Sequence, residues 1–250
     1  MRTQATPVAL PKVAGHRGAA AYAPENTLES LREAARRGVG WVEFDVKLTA
    51  DGVPIVFHDD DLDRTTNGHG PVAAAGFDGT RRLDAGSWFA LRFAGAHVPS
   101  FREALELVRD LGLGANIEIK PCPGREVETA ERAVALIEEQ WPARRPPPLI
   151  SSFKPASLAA VKAKAPALPR GLLLYEDGLP TWKRDARDLA CTTVHCSQHN
   201  MTAPWAAEIR GLGYGLAVYT VNEPARAREL MAFGVQCIIS DAPDRILAAV

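Results

Sequence analysis

Seven polar side chains of this sequence have the types and the spacing that acid–base and phosphoryl chemistry require. They are two histidines, three carboxylates and two cations: His16, Arg17, Glu43, Asp45, His58, Glu118 and Lys120. Histidine carries protons near neutral pH, clustered carboxylates bind hard divalent cations, and arginine and lysine bind the oxygens of a phosphate. Because a metal and nearby cations stabilise charge on phosphate oxygens, the set favours phosphoryl chemistry.

Two strand-like segments, WVEFDV and NIEIK, carry charged residues two positions apart. Side chains at i and i+2 of a strand share a face, so Glu43 lies on the side of Asp45, and Glu118 on that of Lys120. Carboxylates buried together are costly unless they have partners. The spacing therefore predicts one divalent cation, Mg²⁺ or Ca²⁺, bound by Glu43, Asp45 and Glu118, with Arg17 and Lys120 beside it for an anion. A structural Glu118–Lys120 ion pair is the alternative.

The two histidines suit proton transfer in a displacement at phosphorus. One can deprotonate an attacking hydroxyl and the other can protonate the leaving alkoxide, and the sequence leaves open which does which. No G-x-S-x-G or similar nucleophile motif competes with this interpretation. Phe153 and Tyr219, at the ends of two further predicted strands, are candidates for apolar contact with the substrate.

These side chains need a scaffold that gathers strand ends, and the sequence predicts one. Nine strand candidates alternate for most of the chain with helix-length segments, several of which end at glycine. Only KLTADG separates the second candidate from the third, and its Asp51-Gly52 pair is a hairpin signal. A parallel crossover needs about a dozen residues, so the third strand is antiparallel and eight βα units remain. That count predicts an α/β TIM (β/α)8 barrel, whose sites form at the carboxyl ends of its strands.

Residues 1–250 are interpreted as a single barrel domain with a small insertion after the second-strand hairpin, at about 59–97, where no clean βα unit is visible. The formal charge of −1 gives no sign of the excess positive charge that is typical of nucleic-acid-binding proteins. The chain has no apolar run of about 18 residues. Its four cysteines form no C-x-x-C pair. Scattered thiols of this kind are typical of a reducing compartment, so a cytoplasmic location is expected.

Several motifs, in order along the chain, resemble those of the glycerophosphodiester phosphodiesterases, above all their short cytoplasmic bacterial branch. They are AGHRG…PENT, VEFDVKLTADGVPIVFHDDDLDRTTNG, VPSFREAL, NIEIK, YTVN and IISDAP. The resemblance implies a TIM barrel, a divalent ion and hydrolysis of glycerophosphodiesters to an alcohol and glycerol 3-phosphate. By motif match it gives His16 and His58 the acid–base roles, the three carboxylates the metal, and Arg17 and Lys120 the phosphate. The family often has tryptophan where this chain has Tyr219.

Two other functions fit some of the same residues. A phosphodiester lyase similar to the phosphatidylinositol-specific phospholipases C or to sphingomyelinase-D-like proteins would also use a barrel and two histidines. An interfacial enzyme of that kind needs an exposed apolar or basic rim, whereas the insertion offers only four aromatic residues after position 70: Phe77, Trp88, Phe89 and Phe93. A soluble small-molecule substrate without stable membrane association is therefore favoured. The second alternative is a non-catalytic binding protein for phosphorylated polyols.

Overall fold

A closed barrel of eight parallel strands forms the centre of the computed structural model, which describes residues 8–176 and 180–250. In chain order the strands are β1 (Val13–Gly15), β2 (Trp41–Leu48), β3 (Pro54–Val56), β4 (Gly114–Ile119), β5 (Leu149–Ser152), β6 (Arg170–Leu173), β7 (Thr193–Ser197), β8 (Gly215–Tyr219) and β9 (Cys237–Ser240). All except β3 pair in parallel around the ring, and β1 closes it by pairing with both β9 and β2. The predicted TIM barrel is confirmed.

The ninth strand is the antiparallel arm of a hairpin, as its short connection predicts. β2 extends beyond the barrel, and its last residues pair with β3 in the register Val46↔Val56 and Leu48↔Pro54. The connection turns at Gly52, whose φ of 78° lies in the left-handed region that glycine adopts without strain. The hairpin therefore carries the chain out over the carboxyl end of the barrel and delivers His58 there.

Most helices connect the barrel strands and cover their outer faces. In chain order the helices are α1 (Leu28–Arg36), α2 (Phe77–Arg81), α3 (Phe101–Asp110), α4 (Glu126–Gln140), α5 (Pro155–Lys164), α6 (Trp182–Asp188), α7 (Ala203–Gly211), α8 (Pro224–Ala232) and α9 (Pro243–Leu247). In β2 the outward residues Val42, Phe44 and Val46 are fully buried against this layer, in one cluster with Phe101. The alternate residues of the strand must then point into the barrel, which is where Glu43 and Asp45 lie.

Asn26 and Glu29 have the spacing of a capping box, but α1 does not begin with one. The N-cap is Thr27, whose hydroxyl accepts a hydrogen bond from the backbone N–H of Ser30. Asn26 has a φ of 57°, and its amide instead forms two hydrogen bonds with Asp45. A tertiary partner, Asp45, thus holds Asn26 outside the helix, and the cap falls one residue later.

Residues 59–97 contain only short elements: a 3₁₀ turn at Val72–Ala74, the five-residue α2, and a second 3₁₀ turn at Leu91–Phe93. They pack on a small apolar cluster in which Leu62, Val72 and Ala85 join residues of the hairpin such as Ile55. The interpretation of 1–250 as one domain with an insertion at about 59–97 stays a prediction. Among the described residues, no helix is both long and apolar enough to cross a membrane.

Candidate active site

Three buried carboxylates meet at the carboxyl ends of β2 and β4. Glu43, Asp45 and Glu118 each place a carboxylate oxygen within 4.8 Å of the others, and Asp45 is the register partner of Glu118 across the two strands. Burial and the charge of Asp45 raise the pKa of Glu43 well above its usual value and that of Glu118 to about 7. A cluster of this kind resists full ionisation, and a hard cation bound to its oxygens would compensate it. The donor set therefore fits Mg²⁺ or Ca²⁺.

Two cations border this carboxylate cluster. Lys120 Nζ lies 3.0 Å from a carboxylate oxygen of Glu118 and 3.8 Å from one of Asp45, and Arg17 Nε lies 3.6 Å from the other Asp45 oxygen. Burial alone would raise the pKa of Asp45, but the charges of Lys120 and Arg17 hold it well below its usual value. The Glu118–Lys120 ion pair, which is the structural alternative, is present, and Lys120 also lines the cavity.

The loop after β1 brings two neighbouring residues, His16 and Arg17, to the same cavity. Arg17 has a φ of 50°, which turns the chain out of the extended strand geometry, and its N–H donates to Glu43 Oε2 at 3.0 Å. The backbone at position 15 lies so close to that at position 18 that only glycine fits, because a Cβ on Gly15 would lie 2.0 Å from the carbonyl oxygen of Gly18. This turn lets adjacent side chains act at one site.

Each of the two histidines of the site, His16 and His58, has an aspartate at its Nδ1 atom. His16 Nδ1 lies 2.6 Å from Asp241 Oδ1, and His58 Nδ1 lies 2.6 Å from Asp59 Oδ1. Asn222 fixes the first of these carboxylates by donating its amide to Asp241 Oδ2 at 2.7 Å. An aspartate on Nδ1 orients the ring and leaves Nε2 for proton exchange with a bound molecule.

A cavity of about 310 Å³ opens above the carboxylates, between the two histidines. Phe153, Tyr175 and Tyr219 form an aromatic wall on one side: Phe153 stacks on Tyr175 at 4.4 Å between ring centroids and meets Tyr219 edge-on at 5.9 Å. Lys120 Nζ lies 5.4 Å from the centre of the Phe153 ring, so the cationic and aromatic walls are continuous. The size suits a small phosphodiester.

The structure brings together all nine residues predicted from the sequence. Eight of them line the cavity, namely His16, Arg17, Glu43, His58, Glu118, Lys120, Phe153 and Tyr219, and Asp45 lies in the carboxylate cluster beside it. Their chemical roles stay predictions.

Other cavity residues were not predicted. Tyr175 extends the aromatic wall, and Asn116 is 4% exposed on β4 with an Oδ1 that has no hydrogen-bond partner among the described residues. Asp241, which positions His16, follows β9 directly, so the strand-end rule that found His16 and His58 could have found it too.

Similarity to known proteins agrees with this geometry. The Glycerophosphoryl diester phosphodiesterase family profile matches residues 16–245. A glycerophosphodiester phosphodiesterase of Caldanaerobacter subterraneus subsp. tengcongensis is 35% identical over 239 residues, which cover 94% of this chain and 96% of that protein.

Two solved structures are also similar. A phosphodiesterase of Oleispira antarctica, in complex with the product sn-glycerol-3-phosphate, has a TM-score of 0.93 and 37% identity, and the alignment covers 96% of each chain. A glycerophosphodiester phosphodiesterase of Agrobacterium tumefaciens has a TM-score of 0.79 and 31% identity over 96% of this chain and all of the other. With its barrel, its carboxylate cluster and a profile match over nearly its whole length, this chain belongs to the glycerophosphoryl diester phosphodiesterase family.

Proposed function

We propose that this chain hydrolyses glycerophosphodiesters to an alcohol and sn-glycerol 3-phosphate, with one divalent cation and two catalytic histidines. The observation that carries the proposal is the convergence of three buried carboxylates, two cations and two aspartate-bound histidines on one cavity. The product complex of the Oleispira antarctica relative supports the same class of substrate.

Glu43, Asp45 and Glu118 would bind the cation, which when bound supplies positive charge to the phosphate oxygens. Arg17 and Lys120 extend that charge along the cavity. Burial works against their ionisation, yet the pKa of each is raised, chiefly by Asp45, so both stay charged at neutral pH. Their contacts with the anion would strengthen as charge develops on the phosphoryl oxygens.

His16 is proposed as the base that activates the nucleophile, either water or the 2-hydroxyl of the substrate's own glycerol. Its Nδ1–H can donate to Asp241, which leaves Nε2 as an acceptor, 4.0 Å from Glu43 Oε2 at the carboxylate cluster. His58 is proposed as the acid that protonates the leaving alkoxide. Burial lowers the pKa of His58 below its usual value, and an imidazolium with a lower pKa gives up its proton more readily.

Phe153 and Tyr219 are proposed to contact the glycerol or alcohol part of the substrate, since they form the aromatic wall of the cavity beside the charged groups. We further propose a cytoplasmic enzyme that acts on small molecules, with neither nucleic acid nor stable membrane contact. The formal charge of −1 and four buried free cysteines support this.

Release of glycerol 3-phosphate from glycerophosphocholine, glycerophosphoethanolamine and glycerophosphoglycerol tests the proposal. Turnover should disappear after exhaustive chelation and return with Mg²⁺ or Ca²⁺. Tight binding of these compounds without turnover would indicate a binding protein, and accumulation of a cyclic phosphate as the final product would indicate a lyase. Full turnover in chelator would show that the carboxylate cluster is not a metal site.

A further inference from the structure

We propose that Arg64, from the segment after the hairpin, is a positioning residue that joins the His58 side of the active site to the Arg17 side. Its guanidinium lies between two carboxylates, those of Asp59 and Glu25, and each of these carboxylates also holds one of the two site residues. The inference rests on the proposed function, because it assumes that His58 and Arg17 act on the substrate.

The first arm of this network ends at His58. Arg64 contacts Asp59 through two hydrogen bonds, Nε to Oδ2 at 2.5 Å and Nη2 to Oδ1 at 3.0 Å. The same Oδ1 bonds His58 Nδ1 at 2.6 Å. With both of its oxygens held by the planar guanidinium, the Asp59 carboxylate cannot rotate freely, so the His58 ring keeps its direction.

The second arm ends at Arg17. Arg64 donates to both oxygens of Glu25, from Nη1 at 2.8 Å and from Nη2 at 2.7 Å. Glu25 Oε1 also accepts a hydrogen bond from Arg17 Nη1 at 2.5 Å. Because Glu25 is shared between two arginines, it orients Arg17 without neutralising it, and Arg17 keeps positive charge for an anion.

The backbone beside Arg64 is well anchored. Leu62 is buried in the small apolar cluster that it forms with Val72 and Ile55, and its N–H donates to the carbonyl of Gly70 at 2.9 Å. The hydroxyl of Thr66 donates to the carbonyl of Leu62 at 2.7 Å, which closes the turn around Arg64. The guanidinium is thus presented from a fixed turn.

The four contacts require an arginine at position 64, and the exposure of its side chain distinguishes a positioning role from a role in stability. Arg64 makes four hydrogen bonds to two carboxylates, whereas the ammonium of lysine offers only three donors from one point. The Arg64 side chain is 46% exposed, and ion pairs that exposed contribute little to stability. Loss of Arg64 should therefore lower activity far more than thermal stability.

Arg81 offers a matched control in the same stretch of chain. Its side chain is also 46% exposed and is ion-paired, through Nη2, with Glu103 Oε1 at 2.7 Å. The experiment compares Arg64→Met, Arg64→Gln, Arg64→Lys and Arg81→Met in steady-state kinetics and thermal melting. It uses glycerophosphocholine and a nitrophenyl glycerophosphodiester as substrates.

Arg64→Met and Arg64→Gln should lower kcat/KM for glycerophosphocholine by about tenfold or more, with Arg81→Met within about twofold of wild type. On the nitrophenyl substrate, which hardly needs an acid, kcat should largely recover, while the rise in KM from the Arg17 arm should persist. Arg64→Lys should recover only part of the loss, since it keeps the charge without the fork.

A double-mutant cycle tests the route of the coupling. If Arg64 acts through Asp59, the double variant of Asp59→Asn and Arg64→Met should lose little more kcat than Asp59→Asn alone. Three results would overturn the inference. They are independent, multiplicative losses of kcat in the double variant, wild-type kinetics in both Arg64→Met and Arg64→Gln, and equal losses of kcat on the two substrates.

His58→Ala separates failure of the inference from failure of the proposed function. An inactive His58→Ala beside normal Arg64 variants would refute only the coupling. Normal turnover in His58→Ala would refute the assigned role of His58, on which the coupling depends.

Discussion

The hydrogen bond between Asp241 and His16 leads to a sharp prediction about catalysis. Asp241 accepts from two donors, His16 Nδ1 on Oδ1 at 2.6 Å and the Asn222 amide on Oδ2 at 2.7 Å. Burial alone would raise the pKa of Asp241, but the hydrogen bond from His16 lowers it, so the group is a carboxylate at neutral pH. Asp241→Asn has nearly the same shape but only one acceptor oxygen, so it cannot accept both hydrogen bonds.

The expected loss of activity follows from the one hydrogen bond that asparagine cannot accept. A hydrogen bond to a charged group contributes about 1.5–3 kcal/mol. If the His16 bond is the one lost, the ring is free to turn and kcat/KM should fall by roughly 10- to 150-fold. If the Asn222 bond is lost instead, the side chain at position 241 loses its own support and the His16 ring is held less firmly. In both cases kcat should fall more than KM rises, because the contact positions a proton carrier.

The assay is steady-state release of glycerol 3-phosphate by Asp241→Asn, with thermal melting to check the fold. Asp244→Asn is the control, since Asp244 lies three residues further on and bonds Arg37 at 2.6 Å, outside the cavity lining. Its kcat/KM should stay within about threefold of wild type. A folded Asp241→Asn enzyme with near-normal kcat/KM, or an equal loss in Asp244→Asn, would refute the reasoning.

Three further predictions address the other groups of the site. Lys120→Ala should lose a charge-assisted contact to phosphate, about ten- to a hundredfold in kcat/KM; an unstable variant with normal kinetics at room temperature would make Lys120 structural. His58→Ala should lose much less rate on a nitrophenyl ester than on glycerophosphocholine, whereas His16→Ala should lose most of its rate on both substrates. The reverse pattern would exchange the acid and base roles of the two histidines. Glu43 and Glu118 have raised pKa values in the folded state, about 7 for Glu118. Their contribution to folding stability is therefore fully present below the pKa of the unfolded state, and it is lost as pH rises through the folded-state pKa. In chelator, the melting temperature should therefore fall between about pH 5 and pH 8, a divalent cation should flatten the fall, and an unchanged profile in Glu118→Gln would contradict this account.

Much of this site could be predicted because its positions depend on local rules. Strand periodicity places Glu43 and Asp45 on one face, and the apolar residues between them show which face meets the helices. The short Asp51-Gly52 connection turns β3 back along β2, which delivers His58 to the same end of the barrel. Once eight βα units are counted, parallel closure brings the strand ends together.

The partners of these residues depended on the tertiary structure. Asp241 reaches His16 across 225 positions of sequence only because β9 pairs with β1. Arg64 bonds Glu25, which lies 39 positions before it, and so joins Glu25 to Asp59. Asn26 bonds Asp45 instead of capping a helix. No periodic pattern encodes such contacts, because each depends on where two distant backbones pass and on which rotamers the packing allows. Residue types and strand spacing thus determined the chemistry that is available, and closure of the barrel decided which side chains orient it.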